Sequence, residues 1–284
     1  MNSQRIYLLG GDARVPALGA VLSRAGAKIG YYGLRGADCR TALGEALADA
    51  RAVILPLPCS RDGETLFAPL WDEAIALQDV AAAIRPGTVV LGGRLPQHFR
   101  EGLPDCDVVD YADCEELLLL NAVPTAEGVV ALLLERLPVT VQGLACAVVG
   151  YGRVGKATAR LLQNMGAHVT VFARSGTAVA EAVSRGLNAE PLADLGIKLR
   201  PFRAVVNTVP APVLGKNELA ALPKPCLLIE TASAPFGIDF AAAKELELPV
   251  CKAGGLPGAV APQTAGENLA RVLCPLLQKK GLIA

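Results

Sequence analysis

Residues 144–155 read LACAVVGYGRVG, an apolar run followed by a G-x-G-x-x-G turn made by Gly150, Gly152 and Gly155. A helix-forming stretch (Val154 to Met165) and a second apolar run (His168 to Phe172) follow at the distances expected of a strand, a helix and a second parallel strand. This context is much more specific than three glycines alone. The stretch therefore predicts a dinucleotide-binding turn at the end of a buried strand.

Each position of the turn has a physical role in such a site. Gly150 permits the tight bend, Gly152 lets a diphosphate approach the backbone, and Gly155 lets the helix lie close to the strand. Arg153 and Val154 begin the helix, whose N-terminal N–H groups and positive dipole end favour phosphates. We predict that all five residues bind the cofactor.

The end of the second apolar run indicates which dinucleotide binds. NAD sites usually have an Asp or Glu about 20 residues after the glycines, which binds the ribose 2′-hydroxyl. Here Arg174 and Ser175 follow instead. A guanidinium can pair with a 2′-phosphate, and the serine hydroxyl adds a donor. We predict NADP, with NAD possible; in the alternative interpretation, Arg174 is a solvated loop residue.

Length and composition predict two α/β domains that act on a small molecule. The chain has 284 residues, 52% of them hydrophobic, with 27 basic and 27 acidic residues. This balance favours neither nucleic acid nor an anionic membrane as a partner. Because we find neither a signal-peptide pattern nor an apolar stretch of spanning length, we expect a cytoplasmic protein.

The sequence predicts no metal site, because its cysteines are scattered and accompanied by only two histidines. We expect buried, reduced thiols, with Cys59 and Cys114 considered as reactive alternatives. His98 and His168 are not placed as the general acid or base of a hydroxyacid dehydrogenase. The cysteines are Cys39, Cys59, Cys106, Cys114, Cys146, Cys226, Cys251 and Cys274.

Alternating apolar runs and amphipathic stretches predict two Rossmann-like domains with parallel sheets. Strands are predicted at Arg5 to Leu9, Lys28 to Tyr32, Ala52 to Leu55, Thr88 to Leu91 and Asp107 to Val109, then at Leu144 to Val149, His168 to Phe172, Ala204 to Asn207, Leu227 to Glu230 and Val250 to Lys252. Helices of the first domain are predicted at Val15 to Arg24, Thr41 to Ala48 and Asp72 to Ile84.

The predicted domains are residues 1–122, completed by a C-terminal helix at 263–284, and residues 123–262, which begin with a linker helix at 123–138. We expect the helical stretch from Glu115 to Leu137 to be interrupted at 121–124, since Pro124 disfavours helix. The chain is expected to pass between the domains twice, once in this linker helix and once before the C-terminal helix. These two crossings predict a cleft between the domains, where cofactor and substrate meet.

A second glycine turn, Gly10-Gly11, precedes Asp12 and Arg14 at the end of the first strand. It lacks the full dinucleotide pattern, so we consider a catalytic role in which Arg14 binds a carboxylate and Asp12 orients a base. In the alternative, Asp12 caps the following helix and Arg14 pairs with it.

Polar residues near Pro124 are further catalytic candidates. Asn121 and Thr125 are considered as hydrogen-bonding residues in the cleft, with Glu127 as a proton acceptor. Alternatively, Thr125 caps a helix and Glu127 stabilises its first turn.

Two later turns complete the predicted cofactor site. The residues Asn207, Thr208, Val209 and Pro210 follow a strand where the nicotinamide half of a dinucleotide usually lies. The glycine-rich segment 254–258 is expected to form a loop in which Gly255, Leu256 and Pro257 approach the ligand.

Taken together, these motifs resemble the family of dipicolinate synthase A subunits from spore-forming bacteria. The resemblance covers nearly the whole chain and includes GGDAR at 10–14, VPTAEG at 123–128, the glycine turn at 150–155, ARS at 173–175, NTVP at 207–210, and GLPG at 255–258 with APQTAG at 261–266. Residues 232–240 depart from the family's version, which contains more glycine and arginine.

The resemblance implies an arrangement like that of formate/glycerate dehydrogenases and NADP-dependent oxidation of dihydrodipicolinate to dipicolinate, the calcium chelator of the spore core. It implies that the partner is a flavoprotein-like B subunit of dipicolinate synthase, with action in the mother cell during sporulation. A homo-oligomer is also considered. For the dicarboxylate substrate, Arg14 is the first predicted cation, ahead of Arg61, Arg94 and Lys252. A reductase of another small carboxylate or imine, and a non-catalytic NADP-binding protein of a complex, remain alternatives.

Overall fold

The computed structural model describes residues 5–36, 42–199 and 201–284. It divides into two compact units, the first formed by Met1–Leu120 with Ala261–Ala284 and the second by Asn121–Val260. Each unit is built on a parallel β-sheet with helices, which confirms the predicted fold class. Cys39, predicted as a core thiol, and Thr41, predicted as a helix start, lie outside the described residues.

The first unit alternates strands and helices. Its elements before residue 111 are β1 (Arg5–Leu9), α1 (Val15–Arg24), β2 (Lys28–Tyr32), α2 (Leu43–Ala46), β3 (Ala50–Ile54), α3 (Leu77–Ala83), β4 (Val89–Gly92), α4 (Gln97–Glu101) and β5 (Asp107–Asp110). The strands pair in parallel in the order β2-β1-β3-β4-β5. Strand β2 lies on one side of β1, and β3, β4 and β5 follow on its other side. The carboxyl ends of β1 and β3 therefore form the switch point, where open α/β sheets bind ligands.

Helix α3 is shorter than the sequence predicts. The expected start at Asp72 is wrong, because the residues before Leu77 are used in an extended pairing. Thr65 and Ala76 form an antiparallel bridge, and Leu66 donates its N–H to Ile75 O at 2.8 Å. Burial of the Ile75 side chain therefore takes precedence over the local helical pattern.

Helix α5 (Glu115–Arg136) is continuous, so the predicted interruption at 121–124 is wrong. Pro124 lies inside the helix and removes one main-chain hydrogen bond. Apolar contacts on both sides of the proline offset this loss, because Leu117 is buried in the first unit and Leu133 in the second. Thr125 is consequently a mid-helix residue rather than a cap.

By length and composition alone, α5 is also apolar enough to cross a membrane. The expectation that no stretch reaches spanning length is therefore wrong. A little under half of the apolar part of the helix is buried inside the structure, and Val129, Val130 and Leu133 belong to a hydrophobic core. Core helices of this kind satisfy the same criterion.

The second unit contains a six-stranded sheet. Its further elements are β6 (Ala145–Val149), α6 (Arg153–Asn164), β7 (His168–Ala173), α7 (Gly176–Ser184), β8 (Asn188–Pro191), a 3₁₀ turn (Leu192–Asp194), α8 (Leu195–Lys198), β9 (Ala204–Asn207), α9 (Lys216–Ala220), β10 (Leu227–Glu230), α10 (Phe240–Glu245), β11 (Val250–Lys252) and α11 (Leu256–Val260). The parallel order β11-β10-β9-β6-β7-β8 is typical of dinucleotide-binding sheets and has its switch point between β6 and β9. The sequence analysis did not predict β8, which has only two half-buried and two exposed residues.

The C-terminal helix α12 (Pro262–Lys279) packs on α1 in the first unit. Gly266 makes this approach possible, because a Cβ there would lie less than 3.0 Å from the carbonyl oxygen of Arg14. On the same helix, Leu269, Leu273 and Leu277 enter the hydrophobic core that also contains Ile6.

Both faces of each sheet are buried, as expected for parallel strands covered by helices. In β1, Ile6 and Leu8 face one core while Leu9 faces another. In β6, Cys146 and Val149 lie in different cores in the same way. These packed layers hold the strand ends, and therefore the turns that follow them, in fixed positions.

Candidate functional site

The glycine turn after β6 lies at the switch point of the second sheet. Gly150 has a φ of 99°, and a Cβ there would lie less than 3.0 Å from Thr208 Oγ1, on the turn after β9. At Gly155 a Cβ would lie less than 3.0 Å from the carbonyl oxygen of Gly150. At Gly152 it would meet no described atom within 4 Å. Two glycines thus permit close packing, and the third leaves space for a ligand.

Helix α6 begins next to this space. Gly152 is its N-cap residue and has no side chain with which to cap the helix. Arg153 and Val154 form the first turn, whose N–H groups point out of the helix toward the N-terminal side. Together with the open Cβ position of Gly152, this geometry fits a diphosphate.

The carboxyl end of β7 has a cation where NAD sites usually have a carboxylate. Arg174 is exposed, and its guanidinium has no hydrogen bond or ion pair to another described residue. Ser175 is the N-cap of α7, and its Oγ accepts a hydrogen bond from Ala178 N at 3.2 Å. The Ser175 hydroxyl can still donate a hydrogen bond to an anion. On neighbouring β8, the carboxylate of Glu190 is bound by Lys198 at 2.6 Å.

The turn after β9 is closed by its own side chains. Thr208 Oγ1 donates to Val149 O at 2.9 Å, which ties this turn to β6. Asn207 is fully buried and donates from Nδ2 to Val209 O at 3.0 Å. Val209 and Pro210 can therefore offer a ligand mainly their backbone and apolar surface.

The segment 254–258 is not a loop throughout, because α11 begins at Leu256. The Leu256 side chain is buried in the core and lies against Gly128, where a Cβ would be 2.9 Å from it. This packing leaves little of the Leu256 side chain accessible to a ligand. Gly255, with a φ of 76°, is exposed, and Pro257 is half-buried.

The switch point of the first sheet is occupied by groups of the chain itself. Gly10 and Gly11 donate their N–H groups to Tyr32 O and Phe67 O, both at 2.7 Å. Arg14 binds Asp12 through two hydrogen bonds, Nε to Oδ1 at 2.7 Å and Nη2 to Oδ2 at 2.9 Å. The turn thus resembles a phosphate-binding turn whose N–H groups are already used.

A third contact fixes Arg14. Its Nη2 donates to Leu57 O at 2.7 Å, from the segment after β3, and the whole residue is buried. The prediction that Arg14 is available to bind a substrate carboxylate therefore does not fit this geometry. The pairing of Arg14 with Asp12 corresponds to the alternative interpretation. The helix cap expected in that interpretation is different: Asp12 Oδ1 accepts from Arg14 N at 3.2 Å, and Arg14 itself is the N-cap residue of α1.

The small pocket beside this pair is mostly apolar and has a volume of about 20 Å³, enough for a water molecule. Tyr111, which the sequence analysis did not select, lines it and donates to Leu55 O at 2.6 Å. Burial raises the pKa of this phenol, so Tyr111 is a neutral donor at physiological pH.

The candidates near Pro124 lie on α5 in the second unit. Thr125 donates its hydroxyl to Asn121 O at 2.7 Å, within the helix. Asn121 Oδ1 is buried and has no hydrogen-bond partner in the described part of the chain. Glu127 is exposed. Asn121 and Thr125 are thus in contact, and the unpaired Oδ1 of Asn121 is the atom of this group that lacks a donor.

Among the lower-ranked cations, Lys252 has the most defined position. Its Nζ lies 4.0 Å from the ring centroid of Phe240 and 5.4 Å from that of Phe236, and no carboxylate among the described residues pairs with it. Arg61 lies 4.4 Å from the centroid of Phe67. Arg94 has a φ of 57° and donates its N–H to Asp110 at 3.0 Å.

The thiol of Cys59 is not suited to a reactive role. It is fully buried, and burial, with a smaller contribution from Asp110, raises its pKa to about 12. A reactive cysteine needs an accessible thiolate. Cys59 is therefore a core residue, as the first interpretation predicted.

Comparisons with known proteins agree with this geometry. Residues 5–111 match the model of the N-terminal domain of dipicolinate synthase A subunits. The dipicolinate synthase A subunit of Bacillus subtilis (strain 168) is 29% identical over 229 residues, covering 80% of this chain and 77% of that protein. The crystal structure of the dipicolinate synthase A subunit from Bacillus halodurans superimposes with a TM-score of 0.85 and 28% identity, covering 97% of this chain and 98% of that one.

The chain is a relative of dipicolinate synthase A subunits. Its second unit also carries a dehydrogenase-type domain, because residues 133–242 match the NAD-binding domain of D-isomer specific 2-hydroxyacid dehydrogenases. The apo-structure of D-lactate dehydrogenase from Escherichia coli shares the fold, with a TM-score of 0.63 and 14% identity over 98% of this chain and 97% of that one. The nicotinamide cofactor inferred from the glycine turn is thereby supported.

One buried carboxylate at the carboxyl edge of the second sheet, Glu230, was not predicted from the sequence. Glu230 ends β10 and is 1% exposed. Its Oε1 accepts from Asn207 Nδ2 at 2.7 Å, and its Oε2 accepts from Gly237 N at 2.9 Å. A carboxylate directly after a run of three apolar strand residues was the available sequence signal, because charged residues are rarely buried without partners.

Proposed function

We propose that this chain is an NADP-dependent dehydrogenase that oxidises dihydrodipicolinate to dipicolinate, as the A component of a two-component dipicolinate synthase. The similarity to dipicolinate synthase A subunits over nearly the whole chain supports the substrate. The NAD-binding domain match supports the class of reaction. By the same similarity, we propose that its partner is a B subunit and that it acts in the mother cell of a sporulating bacterium.

Arg174 carries the proposal that the cofactor is NADP. Its exposed guanidinium follows β7 directly, and Ser175 next to it keeps a hydroxyl proton. A carboxylate at this position would repel a 2′-phosphate, whereas a guanidinium can bind it through two hydrogen bonds. The phosphate-binding part of the same site is the turn from Gly150 to Gly155.

The chemistry proposed for this site requires one hydride transfer and one proton transfer. The bound dinucleotide would accept the hydride. The proton lost from the dihydropyridine ring would pass to an acceptor, for which we propose exposed Glu127 or solvent. Because the product ring becomes aromatic, the reaction has a large driving force, and a strongly perturbed acid–base pair is not required.

The substrate carries two carboxylates, and Lys252 is the cation we now prefer for one of them. It is exposed at the carboxyl end of β11 and is held over two aromatic rings. Arg14 is already bound by Asp12 and Leu57, so we propose that it shapes the first switch point. An Arg14→Ala protein with weakened substrate binding and unchanged stability would instead support a direct contact between Arg14 and a substrate carboxylate.

The function is tested by following NADPH absorbance when the purified chain receives NADP and freshly generated dihydrodipicolinate. We expect NADPH and dipicolinate to form in equal amounts. NADPH formation with a different small carboxylate or imine, and none with dihydrodipicolinate, would identify a different dehydrogenase.

A non-catalytic, NADP-binding role in a complex is the second candidate, and one observation favours it. The predicted catalytic side chains are largely engaged with the chain itself: Arg14 binds Asp12, and Thr125 binds the Asn121 carbonyl. In this case the chain would bind NADP tightly without turnover, and activity would appear only after addition of the B subunit. The same assay with and without that partner distinguishes the two candidates.

A further inference from the structure

Glu230 is a buried carboxylate held by four hydrogen bonds. Its Oε1 accepts from Asn207 Nδ2 at 2.7 Å and Ala232 N at 3.0 Å; its Oε2 accepts from Gly237 N at 2.9 Å and Ile238 N at 3.0 Å. No cation of the described residues forms an ion pair with it. All of its charge is therefore compensated by N–H donors, three of them from the main chain.

These donors belong to two different turns at the same edge of the sheet. Asn207 ends β9 and is the register neighbour of Glu230 on β10. The main-chain donors belong to the segment 231–238, which leads from β10 toward α10. Thr231 adds two further bonds between the turns, because its Oγ1 and its N–H donate to Asn207 O at 2.7 and 3.0 Å.

The two turns are also packed without space for a side chain between them. At Gly237, a Cβ would lie less than 3.0 Å from Asn207 Nδ2 and 2.8 Å from Val209 O. Phe236, just before it, has a φ of 63°, a conformation that non-glycine residues seldom adopt and that the surrounding contacts must maintain. Glu230 is the group that both turns share.

Stability alone does not explain a buried charge at this position. Apolar residues of similar volume often stabilise a protein as well as a buried ionic group does. A carboxylate with four donors, however, defines the direction of each N–H group much more narrowly than apolar packing. Its position at the carboxyl end of β10, one strand beyond the switch-point strand β9, is where the nicotinamide half of a dinucleotide is bound in such sheets.

We infer that Glu230 is a positioning residue for the nicotinamide half of the cofactor. It acts through the turns 207–210 and 231–238, whose backbone it fixes as a binding surface. The inference rests on dinucleotide binding by the second unit, as proposed above. It predicts that loss of Glu230 weakens contacts to the nicotinamide ring and leaves those to the rest of the dinucleotide, at Gly152 and Arg174, unchanged.

The test compares the dissociation constants of NADP and of 2′-phospho-ADP-ribose, which lacks the nicotinamide, by calorimetry on the full chain. For Glu230→Gln we expect NADP to bind about tenfold more weakly and the fragment to change by less than about twofold, since one acceptor of two main-chain donors becomes an amide donor. Thr231→Val removes only the hydroxyl bond to Asn207. It should raise the ratio of the NADP dissociation constant to the fragment's dissociation constant by a smaller factor. This milder variant provides the ratio if Glu230→Gln does not fold.

Glu245→Gln is the matched control, because Glu245 lies in the same unit, is 63% exposed and pairs with Lys216. It should change neither constant. Equal weakening of both ligands, or no change in either, in Glu230→Gln and Thr231→Val would overturn the inference. If the wild-type chain prefers NAD, the proposed cofactor specificity fails, but the same ratio measured with NAD and ADP-ribose still tests Glu230.

Discussion

Gly155 lies directly against the carbonyl oxygen of Gly150, the residue at the other end of the same turn. A Cβ on Gly155 would be less than 3.0 Å from that oxygen, whereas a Cβ on Gly152, between them, would meet no described atom within 4 Å. Glycine is thus needed at one position for packing and at the other for access by a ligand.

This difference predicts that substitution by alanine mainly lowers stability at Gly155 and mainly weakens ligand binding at Gly152. Gly155→Ala should lower the free energy of unfolding by about 1–3 kcal/mol, because the backbone of α6 must move away from β6. Gly152→Ala should cost less, about 0.5–1 kcal/mol, because alanine is a poorer N-cap residue than glycine, but it should weaken dinucleotide binding about tenfold. Urea denaturation and ligand titration measure the two effects, and a Gly152→Ala protein with normal affinity would contradict the assignment.

Arg174→Ala should weaken NADP binding by about 10- to 100-fold, the usual range for losing hydrogen bonds between charged groups. NAD binding should change little, because NAD has no 2′-phosphate. Dissociation constants for both dinucleotides provide the measurement. Arg203→Ala, which alters another exposed arginine of the second unit, serves as the control. Equal losses for NADP and NAD would be incompatible with the proposed 2′-phosphate contact.

Breaking the Asp12–Arg14 pair should destabilise the chain more than removing both charges. Arg14→Leu leaves a carboxylate that is only 20% exposed without its cation, and we expect a cost of about 3 kcal/mol. The double variant Asp12→Asn with Arg14→Leu should recover part of this loss. A double-mutant cycle by chemical denaturation measures the coupling, and strictly additive costs would show that the pair is energetically unimportant.

Asp110 should contribute stability that disappears in acid. Burial acts to raise the pKa of its carboxyl, but the N–H groups of Ala112, Leu95 and Arg94, with the Arg100 guanidinium, outweigh burial and leave the pKa below its usual value. Because the folded-state pKa is lowered, the stabilisation is complete above the unfolded-state pKa of about 3.9 and is lost as pH falls through the folded-state value.

The comparison of wild type with Asp110→Asn across pH tests this linkage. The difference in unfolding free energy should be constant above about pH 5 and should decrease below about pH 4. A difference that persists unchanged to the lowest pH at which the protein folds would show that the charge of Asp110 is not the stabilising feature.

The sequence was sufficient where the determinants are local. The glycines at 150, 152 and 155 and the apolar runs around them are contiguous, so β6, α6 and β7 were predicted within one residue at each end. Helix α5 was less predictable, because the contacts of Leu117 and Leu133 that offset Pro124 are formed only after folding.

The site was less predictable than the fold for the same reason. Whether Arg14 would bind a ligand or Asp12 could not be decided from spacing, since the deciding contact with Leu57 O joins residues 43 positions apart. Glu230 was missed because its side-chain partner, Asn207, is 23 positions earlier, and its other donors are main-chain groups of a loop without a regular pattern.

The two sheets have equivalent turns at their switch points, but only one of these turns can receive a nucleotide. In the first unit, Gly10 and Gly11 donate their N–H groups to Tyr32 O and Phe67 O, and Arg14 is paired with Asp12. A phosphate would therefore find the N–H groups of Gly10 and Gly11 and the guanidinium of Arg14 already bound. The expected stoichiometry is therefore one dinucleotide per chain, and a saturating titration should end at one molar equivalent.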